Sequence, residues 1–119
     1  MRILVCGSRY WTEKEPIYTA LQKYISVETT IITGGCGGAD TLAHEIAVEL
    51  KMKTEVYKAE WKKYGNAAGP IRNKRMLKEG KPDLVLAFPM KGKENRGTNG
   101  MINLAREAGV KVWVYGEEE

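Results

Sequence analysis

A run of glycines between two apolar segments is the feature of this sequence best suited to bind an anion. Four glycines fall within the five positions Gly34-Gly35-Cys36-Gly37-Gly38, and a helical pattern begins at Ala39 and Asp40. Glycine lets the backbone adopt positive φ and lets a ligand touch the main chain, and free N–H groups at a helix N-terminus attract anions. A tight turn needs only one or two glycines, so we interpret this glycine loop as a site for a phosphate or ribose phosphate.

The glycine loop matches neither of two common nucleotide-binding motifs. No Gly-x-Gly-x-x-Gly fingerprint can be placed on it. The nearest approach to a Walker A loop runs from Gly92 to Gly97, and it has Thr98 and Asn99 where Lys and Ser or Thr are required. ATP hydrolysis by a P-loop mechanism is therefore excluded.

Three polar side chains are predicted to lie beside the glycine loop. Ser8 and Arg9 follow Gly7 at the end of the first apolar segment, which would place a hydroxyl and a guanidinium near the glycines. Asp40 falls in the first turn of the next helix, where it could cap the N-terminus. It could equally accept a hydrogen bond from a ribose hydroxyl or orient the loop, and the sequence leaves these roles open.

The segment 60–73 combines aromatic, glycine and basic residues ahead of a helix. Trp61 could stack on a nucleobase or cover the edge of the core, and the sequence does not decide between the two. Arg72 is predicted in the first turn of its helix, where a positive charge opposes the helix dipole. We therefore interpret Arg72 as a ligand-binding residue that does not support the fold. Gly97 and Thr98 open a later helix and give a second N-terminal anion site.

Composition excludes several classes of protein. The chain has 119 residues, of which 43% are hydrophobic and 29% charged, and this favours one folded domain over disorder. No apolar run approaches the roughly 20 residues of a membrane-spanning helix, and the first apolar stretch is too short for a signal peptide. We expect a cytoplasmic protein with no membrane partner. Two cysteines and one histidine are too few for a disulfide framework or a structural zinc site, and no metal or cofactor is predicted.

The charge distribution favours anionic partners. The formal net charge is +4, although the chain ends in three acidic residues, and residues 51–96 alone hold 13 basic and 5 acidic residues. Such a field attracts a nucleotide, a phosphorylated metabolite or nucleic acid. On charge alone, a basic surface without a partner is an equal alternative.

Apolar segments rich in β-branched residues alternate with helical patterns along the chain. Strands are predicted at residues 3–6, 29–33, 54–57, 83–88 and 111–115. Helices are predicted at residues 16–24, 39–50 and 70–79, with a fourth after Gly97-Thr98, and residues 58–69 are predicted to form a polar loop. Strict alternation implies right-handed crossovers and a parallel sheet.

We therefore predict an α/β fold: a single three-layer Rossmann-like domain with a five-stranded, mainly parallel sheet and helices on both faces. The domain would cover residues 1–116, and residues 117–119 would form an acidic tail. In open parallel sheets, ligands bind beyond the carboxyl ends of the strands. The loops that begin at Gly7, Gly34, Ala59 and Pro89 are therefore expected to form the site.

Taken as a set, these motifs resemble those of the SLOG superfamily. In chain order they are Gly7-Ser8-Arg9, the glycine loop with Asp40, Trp61, Ala68 to Asn73 with Met76, Asp83 to Pro89, and Gly97-Thr98. The superfamily unites DNA-processing protein A with the LOG phosphoribohydrolases, and the chain is most similar to its YspA/YpsA-related branch. The resemblance implies a Rossmann-like fold and a pocket for nucleotides or nucleotide-derived ligands, such as ADP-ribose-type molecules.

The residues and the resemblance together predict one set of ligand-binding residues. These are Gly7, Ser8, Arg9, Gly34, Gly35, Gly37, Gly38, Ala39, Asp40, Trp61, Arg72, Asn73, Gly97 and Thr98.

The resemblance also bears on catalysis. LOG members cleave a nucleoside monophosphate between base and ribose phosphate with an arginine and a glutamate, and their arginine motif is similar to the helix that carries Arg72 and Met76. Their glutamate lies three residues after the threonine of a Pro-Gly-Gly-x-Gly-Thr-x-x-Glu loop. Met101 occupies that position here, and Pro89-Met90-Lys91 replaces the Pro-Gly-Gly. The carboxylate that would stabilise an oxocarbenium-like centre is missing, and no catalytic residue is predicted.

Three functions remain open at this point. The first is binding or sensing of a small nucleotide-derived ligand. The second is an N-glycosidic (phosphoribo)hydrolase that uses Asp40 or Glu60 in place of the lost glutamate. The third is a nucleic-acid-binding protein, based on the basic segment 51–96 and the similarity to a DNA-processing protein. The sequence identifies neither the ligand nor the oligomeric state, and a homo-oligomer is left open.

Overall fold

The alternation of apolar strands and amphipathic helices produces an all-parallel five-stranded sheet in the computed structural model, which describes residues 1–117. The strands are β1 (Arg2–Gly7), β2 (Thr30–Thr33), β3 (Lys53–Val56), β4 (Leu84–Phe88) and β5 (Lys111–Val114). The helices are α1 (Lys14–Gln22), α2 (Ala39–Glu49), α3 (Trp61–Tyr64), α4 (Ala68–Gly80) and α5 (Arg96–Glu107), and Gly65–Ala67 forms a 3-10 turn between α3 and α4. The predicted fold class is confirmed.

The strand order is β3-β2-β1-β4-β5, so β1 lies at the centre of the sheet. Leu4 of β1 is in register with Ile32 of β2 on one side and with Val85 of β4 on the other. The chain first moves outward from β1 through β2 to β3 and then returns to the other side of β1. The order therefore reverses between β1 and β4, and in such sheets the crevice at the carboxyl ends of these strands is the usual place for a ligand.

Both faces of β1 are buried, which explains its continuous apolar sequence. Successive side chains of a strand point to opposite faces of the sheet. Ile3 and Val5 pack in the core cluster that includes residues of α1 and α2, whereas Leu4 and Cys6 pack in the cluster that includes residues of α4 and α5. The protein thus has three layers, with α1 and α2 on one face and α4 and α5 on the other.

The largest difference from the prediction lies in the segment 58–69, which was expected to be a polar loop. It contains α3 and the 3-10 turn, and α4 therefore begins at Ala68 rather than at Pro70. The sequence gives no sign of α3 because none of its four residues is buried, so it has no apolar periodicity to detect. As a consequence, Arg72 lies in the second turn of α4 and not in the first, where it was predicted.

At the end of the described chain, the backbone N–H of Glu117 donates to the carbonyl of Val114. Glu118 and Glu119, the rest of the predicted acidic tail, lie outside the described residues. Within residues 1–117, no helix is both long enough and apolar enough to cross a bilayer.

The end of β1 and the start of α2 approach so closely that glycine is required at two positions. A Cβ atom on Gly7 would lie 2.6 Å from the Cβ of Ala39 and 2.7 Å from the carbonyl oxygen of Phe88. Gly38 has a φ of +67°, and a Cβ atom there would overlap the backbone of Ser8 and Arg9. The Ala39 N–H donates to the Ser8 carbonyl at 3.1 Å, which joins the two segments.

Because of this contact, we expect alanine substitutions at two adjacent glycines to differ in their effect on stability. Gly38→Ala combines a strained positive φ with a backbone overlap, and we expect the free energy of unfolding to fall by about 2 kcal/mol or more. A Cβ on Gly37 would meet only the Arg9 carbonyl oxygen, at 3.9 Å. Gly37→Ala should therefore change stability by less than about 0.5 kcal/mol. Urea unfolding of both variants measures this, and equal stabilities would contradict it.

Candidate functional site

A cavity of about 540 Å³ opens at the carboxyl end of β1 and continues between α4 and α5. Its volume falls within the range of about 300–1,000 Å³ that is typical of small-molecule sites. Nine of the predicted ligand-binding residues line it: Gly7, Ser8, Arg9, Asp40, Trp61, Arg72, Asn73, Gly97 and Thr98. The cavity thus lies at the carboxyl end of the central strand, the edge of the sheet at which the sequence predicts a ligand site.

The other five predicted residues, Gly34, Gly35, Gly37, Gly38 and Ala39, are not among those that line the cavity. The glycine loop is instead bound into the protein. The Gly34 and Cys36 N–H groups donate to Asp40, the Ala39 N–H donates to Ser8, and Cys36 is the loop residue that reaches the cavity. The glycines allow the chain to fold tightly between β2 and α2, and they lie outside the lining of this cavity.

Asp40 is the buried carboxylate that holds this loop in place. Its side chain is only 5% exposed, and its Oδ2 accepts hydrogen bonds from the N–H groups of Gly34 at 3.1 Å and Cys36 at 3.3 Å. Of the roles left open by the sequence, orientation of the loop is the one that the structure shows. No hydrogen bond to Oδ1 is found within residues 1–117, so this oxygen of a cavity-lining residue can still accept one.

The environment of Asp40 raises the pKa of its carboxyl above the ordinary value. Burial raises the pKa of the carboxyl to about 6, against the opposing effects of the Cys36 N–H, the Arg72 charge and the Gly34 N–H. Burial also raises the pKa of the nearby Cys6 thiol, with a further contribution from the Asp40 charge, so Cys6 is a neutral packing residue. In the part of the chain that the structure describes, no group of three or more His, Cys, Asp and Glu residues could hold a metal ion.

Arg72 supports the fold as well as lining the cavity. Its Nη1 donates to the carbonyl oxygen of Gly34 at 2.5 Å and to that of Tyr57 at 3.5 Å, and both guanidinium nitrogens Nη1 and Nη2 lie within 3.7 Å of the Cys36 sulfur. The interpretation of Arg72 as a residue that the fold does not need is therefore wrong. Its partners Gly34 and Cys36 lie 38 and 36 positions away in the sequence, which is why the local helix argument missed them.

Asn73 links this cluster to the start of α5. Its Oδ1 accepts a hydrogen bond from Nε of Arg72 at 2.9 Å, and its Nδ2 donates to the carbonyl oxygen of Gly97 at 3.2 Å. Both ends of the amide are therefore bound to protein, although the residue lines the cavity. Asn73 acts as a support that fixes α5 relative to α4.

Two buried hydroxyl groups at the cavity retain hydrogen-bonding capacity. Ser8 is 3% exposed, and its Oγ accepts a hydrogen bond from the Tyr10 N–H at 3.0 Å, which leaves the hydroxyl proton available. Thr98 is 6% exposed and lines the cavity, and its hydroxyl makes no hydrogen bond to any residue from 1 to 117. No side chain caps the N-terminus of α5, because the amide of Asn95 is bound to Met90 and to the Lys93 carbonyl. A ligand at this point would meet unpaired donors.

Sequence reasoning missed the part of the cavity between α4 and α5. Here the lining includes Lys74 of α4 together with Gly100, Asn103, Leu104 and Glu107 of α5. The available signal was the spacing of Gly97, Gly100 and Leu104, which places them on one face of a helix. Other lining residues that were not predicted are Cys6, Cys36, Asn66, Gly69, Pro70, Met76, Glu94, Asn95 and Arg96.

The two carboxylates considered for catalysis differ in their position relative to the cavity. Asp40 lines the cavity, whereas Glu60 is not among the lining residues. Met101 is fully buried in the core cluster formed with α4 and does not line the cavity.

The chain is similar to known proteins in sequence and in fold. Residues 1–64 match the sequence profile of the family described as YAcAr, the YspA, cpYpsA-related SLOG family. Gene 61 protein of Mycobacterium phage D29 is 30% identical, over 98% of this chain and 98% of that protein. DNA processing protein A (DprA) from Streptococcus pneumoniae superposes on 94% of this chain with a TM-score of 0.59 and 18% identity. The chain spans 58% of that DprA structure, and this match shows a shared fold.

The burial of Asp40 predicts a specific pH dependence of stability. Its pKa is about 6 in the folded protein against an ordinary value of 3.8, so the folded state binds this proton more tightly than the unfolded chain does. The resulting stabilisation is present below pH 4 and is lost as the pH rises through about 6, a difference of about 3 kcal/mol. Asn has no such titration, and its amide oxygen can accept the same hydrogen bonds.

We therefore expect the stability of Asp40→Asn relative to the wild type to increase by about 2 kcal/mol between pH 4 and pH 7.5. Urea unfolding of both proteins at a series of pH values measures this difference. Taking the difference between the two proteins cancels the titration of the other carboxylates. A difference that does not vary with pH would show that Asp40 titrates normally.

A second prediction concerns the different contributions that the two arginines of α4 make to stability. Arg72→Ala leaves the buried Gly34 carbonyl without its charged donor, and we expect a loss of about 3 kcal/mol in the free energy of unfolding. Arg75→Ala is the matched control, because Arg75 makes an exposed ion pair with Glu79 on the same helix. It should cost less than about 1 kcal/mol. Similar losses for both variants, measured by thermal or urea unfolding, would refute the structural role of Arg72.

Proposed function

We propose that this chain, which belongs to the YspA, cpYpsA-related SLOG family, binds a nucleotide or nucleotide-derived ligand in the cavity at the carboxyl end of β1. An ADP-ribose-type molecule is the ligand class that we favour. The observation that carries the proposal is the convergence of Ser8, Asp40 and Thr98 on one cavity. Each is at least nine-tenths buried and each retains a polar atom or proton with no partner among the described residues. A ligand with hydroxyl and phosphate groups could bind to all three from within the cavity.

The proposed phosphate position lies at the start of α5. The first N–H groups of this helix have no side-chain cap, and the Thr98 hydroxyl lies in the same turn. The helix dipole attracts an anion to this end. Arg9 and Arg96 line the same cavity and would add positive charge.

The remaining groups of a nucleotide have partners of suitable chemistry. The free Oδ1 of Asp40 can accept a hydrogen bond from a ribose hydroxyl. Trp61 is 55% exposed and lines the cavity, so its ring is accessible for stacking on a base. Its Cη2 atom lies close to Gly69, where a Cβ would be 3.4 Å away, so the ring lies beside the first turn of α4.

Nucleic-acid binding is a second candidate, favoured by one feature of the surface. Exposed Tyr10 lies between the guanidinium of Arg9 at 5.5 Å and the ammonium of Lys93 at 5.0 Å from its ring centre. Exposed Tyr64 likewise lies below Lys63, at 5.1 Å. Rings beside basic side chains are typical of surfaces that bind single-stranded nucleic acid.

The small-ligand proposal predicts that Thr98→Val loses binding and keeps the fold. Valine has the shape of threonine without the hydroxyl, so loss of a hydrogen bond to phosphate should weaken binding of ADP-ribose by about 10-fold or more. Thr12→Val, in the exposed loop before α1, is the control and should bind normally. Calorimetric titration of both variants measures the affinities.

The two candidate functions differ in their response to salt. Binding of a long oligonucleotide should weaken by orders of magnitude between about 50 and 200 mM salt, whereas a ligand with one or two phosphates should lose far less. A steep salt dependence with oligonucleotides, together with no thermal shift for ADP-ribose, would favour the nucleic-acid function and reject the first proposal.

A further inference from the structure

We propose that the cleft between α4 and α5 is a second compartment of the site, which takes a neutral, hydrogen-bonding group such as a sugar attached to the phosphate end of the ligand. This inference rests on the proposed function. It assigns a ligand group to the part of the cavity that lies beyond the start of α5, and it states the chemical class of that group.

The cleft extends well past the proposed phosphate position. On α5 the cavity is lined from Gly97 and Thr98 to Glu107. Glu107 lies nine positions after Thr98, which corresponds to about 13 Å along a helix axis. Such a length leaves room for another chemical group beyond a phosphate bound at Thr98.

Gly100 lines this cleft without a side chain to fill it. It lies in the interior of α5, where glycine is among the least favourable residues for a helix. Its φ is not positive, and a Cβ atom added to it would meet nothing within 4 Å. Neither the backbone conformation nor the packing of the protein therefore requires glycine at this position.

The same residue lines the cavity, so the missing side chain exposes helix backbone to whatever occupies the cleft. Gly97 lies one turn earlier on the same face and also has open space at its Cβ position. Thr98, next to Gly97, is 6% exposed and lines the same cavity, and its hydroxyl makes no hydrogen bond to any residue from 1 to 117, so the phosphate proposed there would lie at the entrance to this face. We infer that a flat or narrow group lies against this face of α5.

The far end of the cleft favours a neutral group. Lys74 offers donors, Glu107 offers acceptors and Asn103 offers both, and all three are exposed at the cavity. Neither Lys74 nor Glu107 makes an ion pair with any residue between 1 and 117, so one positive and one negative charge leave this end of the cleft without a net attraction for a further phosphate. A sugar has several hydroxyl groups that can both donate and accept, and it carries no charge.

The test compares three probes that share the adenosine and first phosphate: AMP, ADP-ribose and ATP. ADP-ribose adds a phosphate and a neutral sugar, whereas ATP adds two phosphates. We expect the wild type to bind ADP-ribose about 10-fold or more tightly than AMP, and ATP less tightly than ADP-ribose, as measured by calorimetry.

Gly100→Leu should fill the cleft and reduce the affinity for ADP-ribose to that for AMP, while AMP binding stays unchanged. Its melting temperature should equal or exceed that of the wild type, because leucine is a better helix former than glycine. The matched control is Asn99→Leu, which adds the same side chain to the same helix at an exposed position that does not line the cavity. This control should bind all three probes as the wild type does.

A second variant tests the chemistry of the far end without filling it. Glu107→Gln removes the negative charge, and we expect the affinity for ATP to rise several-fold while AMP binding does not change. If Gly100→Leu fails to fold, Glu107→Gln still tests the second compartment.

The outcomes separate this inference from the proposed function. If the wild type binds AMP and ADP-ribose equally well, or if Gly100→Leu binds ADP-ribose as the wild type does, the second compartment is refuted and the proposed function stands. If the wild type binds none of the three probes, the proposed function fails and this inference fails with it.

Discussion

The backbone at the carboxyl end of β2 is the point on which the geometry of the site depends. Gly34 is buried, so neither its N–H nor its carbonyl can rely on water. The carboxylate of Asp40 accepts from the N–H, and the guanidinium of Arg72 donates to the carbonyl. Unpaired buried backbone groups are costly. The positions of α2, which carries Asp40, and of α4, which carries Arg72, are therefore both fixed at this one residue.

The same arrangement divides the polar residues of the cavity into supports and open groups. Arg72 and Asn73 have used much of their hydrogen-bonding capacity on the protein, and the Asn73 amide extends the support to Gly97 at the start of α5. Ser8 and Thr98 are held on elements that this network positions, and their hydroxyl groups retain hydrogen-bonding capacity at the cavity. Rigid supports beneath a few open donors are the arrangement expected of a preorganised binding site.

The sequence predicts the sheet and the helices well wherever burial creates a pattern. Both faces of β1 and β4 are buried, which gives continuous apolar runs, and the carboxyl-end rule then places Ser8 and Thr98 at the site. The rest depends on contacts between distant residues. Nothing near Arg72 in sequence indicates that Gly34 will be its partner, and the exposed helix α3 has no apolar periodicity. The open space beside Gly100 is seen only in the folded structure, and the spacing of Gly97, Gly100 and Leu104 on one helix face is the signal that the sequence offers for it.

The burial of Met101 has a consequence for how this chain can change over evolutionary time. Met101 is enclosed on all sides in the core that α4 and α5 form with the sheet. A carboxylate at this position would lose its hydration without gaining a partner and would become neutral or disrupt the core. By contrast, Arg9, Lys74 and Asn103 line the cavity but are exposed, so they can be exchanged one at a time at little cost to the fold. The chemistry of the cavity can therefore change by single substitutions, whereas a glutamate at position 101 would require several core residues to change together.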